Sequence, residues 1–542
     1  MSGSQSIAAT PDASRASRRA RLVAGPLLLV CLILAYAGWL SIVAIPTNVD
    51  VSWLLTVCDR LLGGEQLNAD MLEINPPFSI WLYMPFILLE KLTGVRAELW
   101  LTLGVICLGV ASLLLSARII VGIDPAYRRP GTLWAAVVAL FLILCFLPDQ
   151  FGQREHFAAI AILPWLALQC ARQRTPDFVA GSHFERFVAG LGAGVVVMVK
   201  PPHFALALML PSLCLAFQRR SVKPLFVMEN LLGAGAVAAY IAAIAVFDRA
   251  YFSEILPFAR DVYLPMHLPL IDNLANWPGI VLLLAVAIVL AAGGPRNMHW
   301  DTRILLASAL GFVPAFLIMG KGWPNHALPM VVLAIFAFGV ELSRFGKLRD
   351  ANIVRKAALI FASVLVLQMT IRTQYAALTT DNGPIARSVA VIRDTIEKPT
   401  IMSVAGQLQV AHPLTRLVGG RYISRYPGAW AVVNAEMLVR GAGDTARRRK
   451  LEGIRDRIIG EHAVEILTEK PDIVLSGLET DPSWNALMLQ DKRIAAALKD
   501  YRVLHTEPKI TVYIRNTAPD RARFGLRHSR DHLVEDVGFR KL

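Results

Sequence analysis

Ionisable residues gather at four gaps between long apolar runs. Asp50 follows the first run, and Glu73-Ile74-Asn75-Pro76-Pro77 lies later in the same gap. A second gap reads Asp149-Gln150-Phe151-Gly152-Gln153-Arg154-Glu155-His156, a third Lys200-Pro201-Pro202-His203, and the last Lys321-Gly322-Trp323-Pro324-Asn325-His326. Such a set suits the movement of a sugar from a lipid phosphate onto a hydroxyl. A carboxylate takes the acceptor's proton, and fixed cations hold the departing phosphate. Asp50 or Glu155 can do the first; Arg154, His156, Lys200, Lys321 and His326 can do the second. Each residue also has a plainer reading. Asp50 can be a solvated loop residue, Lys200 and Lys321 snorkelling anchors, Trp323 an aromatic-belt residue, and Glu73 the partner of a local cation. The run Arg154-Glu155-His156 resists that reading, because three ionisable residues opening an apolar span are costly unless paired or hydrated.

The elements that must hold these residues are membrane spans. Hydrophobic residues make up 55% of 542 and charged residues 18%, and the mean hydropathy is +0.50, so no soluble domain could hide this much apolar surface. A span needs about 20 mostly apolar residues. Runs near 22–45, 97–121, 131–148, 155–172, 186–199, 203–217, 228–247, 275–292, 303–320, 325–343 and 355–372 supply about eleven. The stretch 76–93 is apolar but shorter, with three prolines and Glu90-Lys91 at its end. If it lies in the interface instead of crossing, the loops at Arg128-Arg129, Arg172 to Arg174, Arg219 to Lys223, Arg296 and Arg344 to Lys356 all fall on the side of the basic N-terminus. That satisfies the positive-inside rule; a crossing 76–93 violates it repeatedly. The four polar gaps then share the outer face, with loop 46–96 the longest on the membrane module.

The net charge of +14 would suggest nucleic acid in a soluble protein, but here the Arg and Lys residues sit in short tracts between apolar runs and write topology instead. The leader 1–21, with Arg15, Arg18, Arg19 and Arg21, is expected in the cytoplasm, and the first run is too long for a signal-peptide core. The six cysteines lie mostly within apolar runs and show no metal-ligand spacing, which suits packing better than a disulfide framework. After Arg372 the composition becomes that of a soluble domain. Strands are expected at 401–404, 473–476 and 510–514, and helices near 384–397, 444–468 and 483–500, as a small α/β unit over 373–516. No phosphate-binding glycine motif follows a strand there. A loosely ordered tail is expected over 517–542.

The order and common sidedness of these motifs resemble the GT-C superfamily of membrane glycosyltransferases, in particular the group of protein O-mannosyltransferases and aminoarabinose lipid A transferases (glycosyltransferase family 39 type). The similar stretches are Asn48 to Trp53, Glu73 to Leu82, Gln153 to His156 and Lys321 to His326, within the module 22–372. A C-terminal periplasmic domain is also shared. The resemblance implies an α-helical polytopic fold, a polyprenyl-phosphate-linked sugar as donor, and the first-loop acid, here Asp50, as general base. Two departures stand out: the family often has Asp-Glu where this chain has Asp50-Val51, and Lys-Pro-Pro where it has Asn75-Pro76-Pro77. The first weakens any metal proposal; the second leaves the donor phosphate to Arg154, Lys200 or Lys321.

The expectation is therefore a metal- and cofactor-independent, inverting glycosyl transfer at the periplasmic face of a bacterial inner membrane. Glu155 orients Arg154 and His156, while Glu73, Asn75 and Trp323 contact substrate; whether Glu155 is instead the base stays open. The acceptor is a lipid, an envelope glycan or a protein hydroxyl, membrane lipids surround the helices, and nucleic acid has no part. The alternative is a multi-span transporter or lipid flippase, in which the same charges form a substrate path. Transporters usually carry such charges near mid-membrane and on related halves; here they stand at span ends, with no half-to-half symmetry. A non-catalytic scaffold gives no reason for the clustering.

Overall fold

A computed structural model describes residues 11–44, 48–123, 130–175, 180–343, 351–477 and 487–518, with backbone alone for 11–22 and 130. The basic loop at Arg128-Arg129, part of the one after Arg344, and the expected tail from 519 lie outside the described residues. The chain is an integral membrane protein. Helices occur at each of the eleven expected spans, from Pro11–Trp39 to Ile353–Leu378. Among the described residues, six helical stretches are long and apolar enough to cross a membrane by length and composition alone, including Val23–Ala44, Ala97–Ile123, Met228–Phe247 and Pro324–Ser343. The others are shorter or more polar. Arg154–Arg172 is the clearest case, with every residue but Ala161 buried. A helix walled in by protein need not be apolar towards lipid, so Gln169 and Arg172 are tolerated inside the bundle. At its far end Arg172 pairs with Glu229, Arg174 with Asp301 at 2.7 Å, and Thr302 donates to Glu341 at 3.0 Å.

The stretch 76–93 forms two short helices, Phe78–Trp81 and Met84–Thr93. The longer has 10 residues, about 15 Å, half the thickness of a hydrocarbon core. Two features of the loops expected on the outer face were not foreseen. Val49–Leu62 is a helix capped by Asn48, and the loop after Phe247 carries π-helical turns at Tyr251–Ile255 and Ala259–Tyr263 before the short helix Leu270–Ala275.

Beyond the last span the described residues build one sheet of five strands: β1 (Thr400–Ser403), β2 (Arg421–Tyr422), β3 (Ile473–Ser476), β4 (Tyr501–Glu507) and β5 (Ile510–Arg515), in the order β2-β1-β3-β5-β4. The first three pair in parallel, and β5 runs antiparallel to β3 and β4. The central strand β3 is buried at all four residues, so it reads as a plain apolar run. Strand β4 is a half-exposed edge and β2 has two residues, which is why neither was expected. Of the expected helices, Gly383–Thr395 and Thr445–Glu469 form as read. The one expected at 483–500 is broken into a helical stretch at 487–489, Lys492–Ala497 and the turn Leu498–Asp500, with 483–486 outside the described residues. A further helix, Trp430–Gly441, was missed.

This domain is pinned to the first outer loop. Arg60, at the end of Val49–Leu62, is buried and donates to the carbonyls of Ser424 (2.6 Å) and Asp70 (3.0 Å) and to Glu65 (2.7 Å). The Leu72 amide donates to the Arg425 carbonyl at 2.7 Å. Arg416 bridges Glu90 and Glu98 at 2.9 and 2.7 Å.

Candidate active site

Asn48 fixes the start of the helix that carries Asp50. Its side-chain oxygen accepts from the Asp50 amide at 2.9 Å, capping the helix, and its amide nitrogen donates to the Asp149 carbonyl at 2.8 Å. One residue thus ties the first outer loop to the second. Asp50 sits in the first turn, where the helix dipole favours a negative charge, and its carboxylate has no hydrogen-bond partner among the described residues. It faces a cavity of about 670 Å³. Burial pushes the Asp50 carboxyl up from its ordinary range, with Glu155 adding to the rise and Arg154 and Lys200 opposing it.

Arg154 shares that cavity wall and donates to the Ser79 hydroxyl at 3.2 Å. Glu73 also lines it, but both its oxygens are engaged: one accepts from the Trp53 indole at 2.6 Å, the other from the Asn75 backbone and side-chain amides at 2.6 Å. Glu73 therefore braces Trp53 and Asn75, and burial raises its carboxyl above the ordinary range. Lys321 reaches the wall from a tight bend. Gly320 and Gly322 flank it with φ of 65° and 70°, and a Cβ on Gly320 would lie 2.2 Å from His267 Nδ1. The Lys321 amine donates to the Tyr263 and Met266 carbonyls and stands 4.3 Å from the centre of the Tyr263 ring. Burial lowers its pKa to about 8.

Asp50, Glu73, Asn75, Arg154, Lys321 and Trp323 thus share one cavity, whereas Glu155, Lys200, His326 and His156 do not line it. Glu155 is wholly buried and accepts from Lys200 at 2.6 Å, with His326 Nε2 at 3.9 Å. This paired cluster adjoins Arg154 and steadies the field of the cavity without reaching into it. Burial pulls Lys200 down to about 8 against the attraction of Glu155. His156 is occupied by backbone: Gly152 N–H donates to its Nδ1 at 3.0 Å, and its Nε2 is 2.6 Å from the Ile143 carbonyl oxygen. It braces the second outer loop.

Two parts of the wall escaped sequence reasoning. One is Tyr263, Met266, His267 and Leu268, from the loop after Phe247. The other belongs to the C-terminal domain: Gly406 to Gln409, Pro427, and Trp430, Asn434 and Met437 on one face of a helix. The spacing i, i+4, i+7 was a visible signal for a shared face, but nothing in sequence said that it turned toward residues some 350 positions earlier. Among the described residues no three His, Cys, Asp or Glu side chains converge as a metal site would require.

The helical bundle with this cavity and a capping mixed-sheet domain is a fold also found among solved membrane-protein structures. One similar solved structure is ArnT from Cupriavidus metallidurans. Bound to undecaprenyl phosphate, that structure aligns over 90% of this chain and 97% of its own, with a TM-score of 0.51 and 13% identity. Its apo form gives the same coverage and TM-score with 14% identity. The oligosaccharyltransferase of Archaeoglobus fulgidus aligns more loosely, with a TM-score of 0.44 and 12% identity over 88% of this chain and 72% of that one. No family model matches the sequence, and no curated protein matches it.

Proposed function

We propose that this protein is a glycosyltransferase that moves a sugar from a polyprenyl-phosphate donor to a hydroxyl acceptor at the periplasmic face of a bacterial inner membrane. The observation that carries this reading is the unpartnered Asp50 carboxylate facing a cavity whose wall also holds Arg154 and Lys321. The shared fold supports the donor class, because ArnT from Cupriavidus metallidurans has been seen bound to undecaprenyl phosphate. Asp50 accepts the proton of the acceptor hydroxyl as its oxygen bonds to the anomeric carbon. The bond from that carbon to the phosphate oxygen breaks, and its electron pair leaves on the polyprenyl phosphate. Attack opposite the leaving group inverts the anomeric centre. Arg154 and Lys321 hold the charge that develops on the phosphate, and the Glu155–Lys200 pair keeps Arg154 in place. The charges stand at helix ends and in loops, as a surface-facing reaction requires, and no observation favours a transport path through the bundle.

The test is turnover of a panel of radiolabelled polyprenyl-phosphate sugars by the protein in nanodiscs, with wild type and Asp50→Asn side by side. Turnover that falls about 10³-fold in the folded variant supports the assignment; undiminished turnover would remove Asp50 from the chemistry, and no turnover of any donor by wild type would remove the reaction.

A further inference from the structure

The wall that the C-terminal domain contributes differs in chemistry from the rest of the cavity. Every lining side chain that carries charge, together with His267, comes from the membrane module. The C-terminal residues on the wall bear none, and the charged residues of the same helix, Glu436 and Arg440, pair with each other at 3.1 Å and do not line it. What this wall offers is an aromatic ring and amides. Trp430 is held edge-to-face by Phe258 and by Tyr263, with ring centres 6.2 and 5.9 Å apart. Tyr263 in turn contacts Trp323, 6.4 Å away and 44% exposed, so a line of rings runs from one domain to the other. One helical turn past Trp430, the Asn434 amide lines the cavity with no hydrogen-bond partner among the described residues. Gln409 donates to Gln407 beside it.

We infer that Trp430, Asn434 and the Gln407–Gln409 pair form a subsite for a neutral carbohydrate, which makes the acceptor of the proposed transfer a glycan hydroxyl. The inference rests on that transfer reading for the word acceptor, but the binding site stands on its own. A sugar ring presents a face of weakly positive C–H groups that packs on the negative face of an indole. Its vicinal hydroxyls donate and accept together, which a planar amide with one acceptor and two donors matches. A phosphorylated or otherwise anionic acceptor would need a cation on this wall, and a bare lipid would leave the amides buried without partners.

The test is saturation-transfer NMR on the full chain in nanodiscs, with mannan, galactan, arabinan and glucan fragments and, as the anionic rival, a bis-phosphorylated glucosamine disaccharide. At least one neutral fragment is expected to bind wild type, at least tenfold more weakly to Trp430→Ala and Asn434→Leu, and near normally to Trp430→Phe. Binding of undecaprenyl phosphate should stay unchanged in all three, which checks their folding. The inference is overturned if no neutral fragment binds, if binding ignores both substitutions, or if only the phosphorylated disaccharide depends on them. Neutral-fragment binding without donor turnover would sink the transfer reading and leave this subsite; donor turnover without fragment binding would do the reverse.

Discussion

Asp50 and the lysines near it set opposite limits on the pH range in which the cavity can work. In the proposed reaction the base must be ionised, and burial has raised the Asp50 pKa, so the active form is lost as pH falls through a value above the ordinary carboxylate range. Lys200 and Lys321 are held near 8, so the cations are lost as pH rises past that point. The product is a bell-shaped dependence of kcat/KM on pH with its alkaline limb near 8. Measured in nanodiscs, the acid limb should flatten in any residual activity of Asp50→Asn, and Lys321→Arg should leave a shallower alkaline limb set by Lys200 alone. A profile flat from pH 5 to 9 would contradict both assignments. Asp50, Arg154 and Lys321 were legible in sequence because charged residues beside apolar runs stand out. The roles of Glu73 and His156 were not, because a side chain that braces Trp53 or receives a backbone amide has the same letter as one that meets substrate.

The helix Val49–Leu62 has a catalytic candidate at one end and a fastening at the other. Arg60 lies nearly three turns from Asp50 and grips carbonyls of the C-terminal domain. Arg60→Ala leaves those buried carbonyls without a donor and Glu65 with Arg421 as its remaining cation, which should cost about 2 kcal/mol in thermal unfolding. It should also lower kcat more than it raises KM, since the base is displaced while the donor-holding cations stay put. Equal stability with wild-type kcat would show that the helix is held by other means. This helix was hidden in the sequence because Asp59 and Arg60 interrupt its apolar residues, so it reads as loop. The spans were open to reading, since about 20 apolar residues in a row have few other uses. The choice against a crossing 76–93 was also open to reading, but only through the charges of loops far away; its break near Leu82 was not.

At the scale of the molecule, the reading requires Gln407 and Lys223, both exposed, to stand on opposite sides of the membrane. A membrane-impermeant maleimide, with wild type as blank, should label Gln407→Cys in spheroplasts and Lys223→Cys only after permeabilisation. The reverse pattern would turn the proposed orientation over. The wall built by residues 406 to 437 was beyond sequence reading, because contacts across such a separation leave no local pattern. Its position along the chain has a consequence in time. Synthesis runs from Asp50 toward Trp430, and the base, Arg154 and Lys321 are all threaded into the bilayer before the last wall exists. A nascent or truncated chain therefore holds an open, half-walled cleft in which water competes with any acceptor, and only folding of the final third closes it. On the proposed reading, maturation of the chain itself decides when the cavity can keep a sugar from being wasted on water.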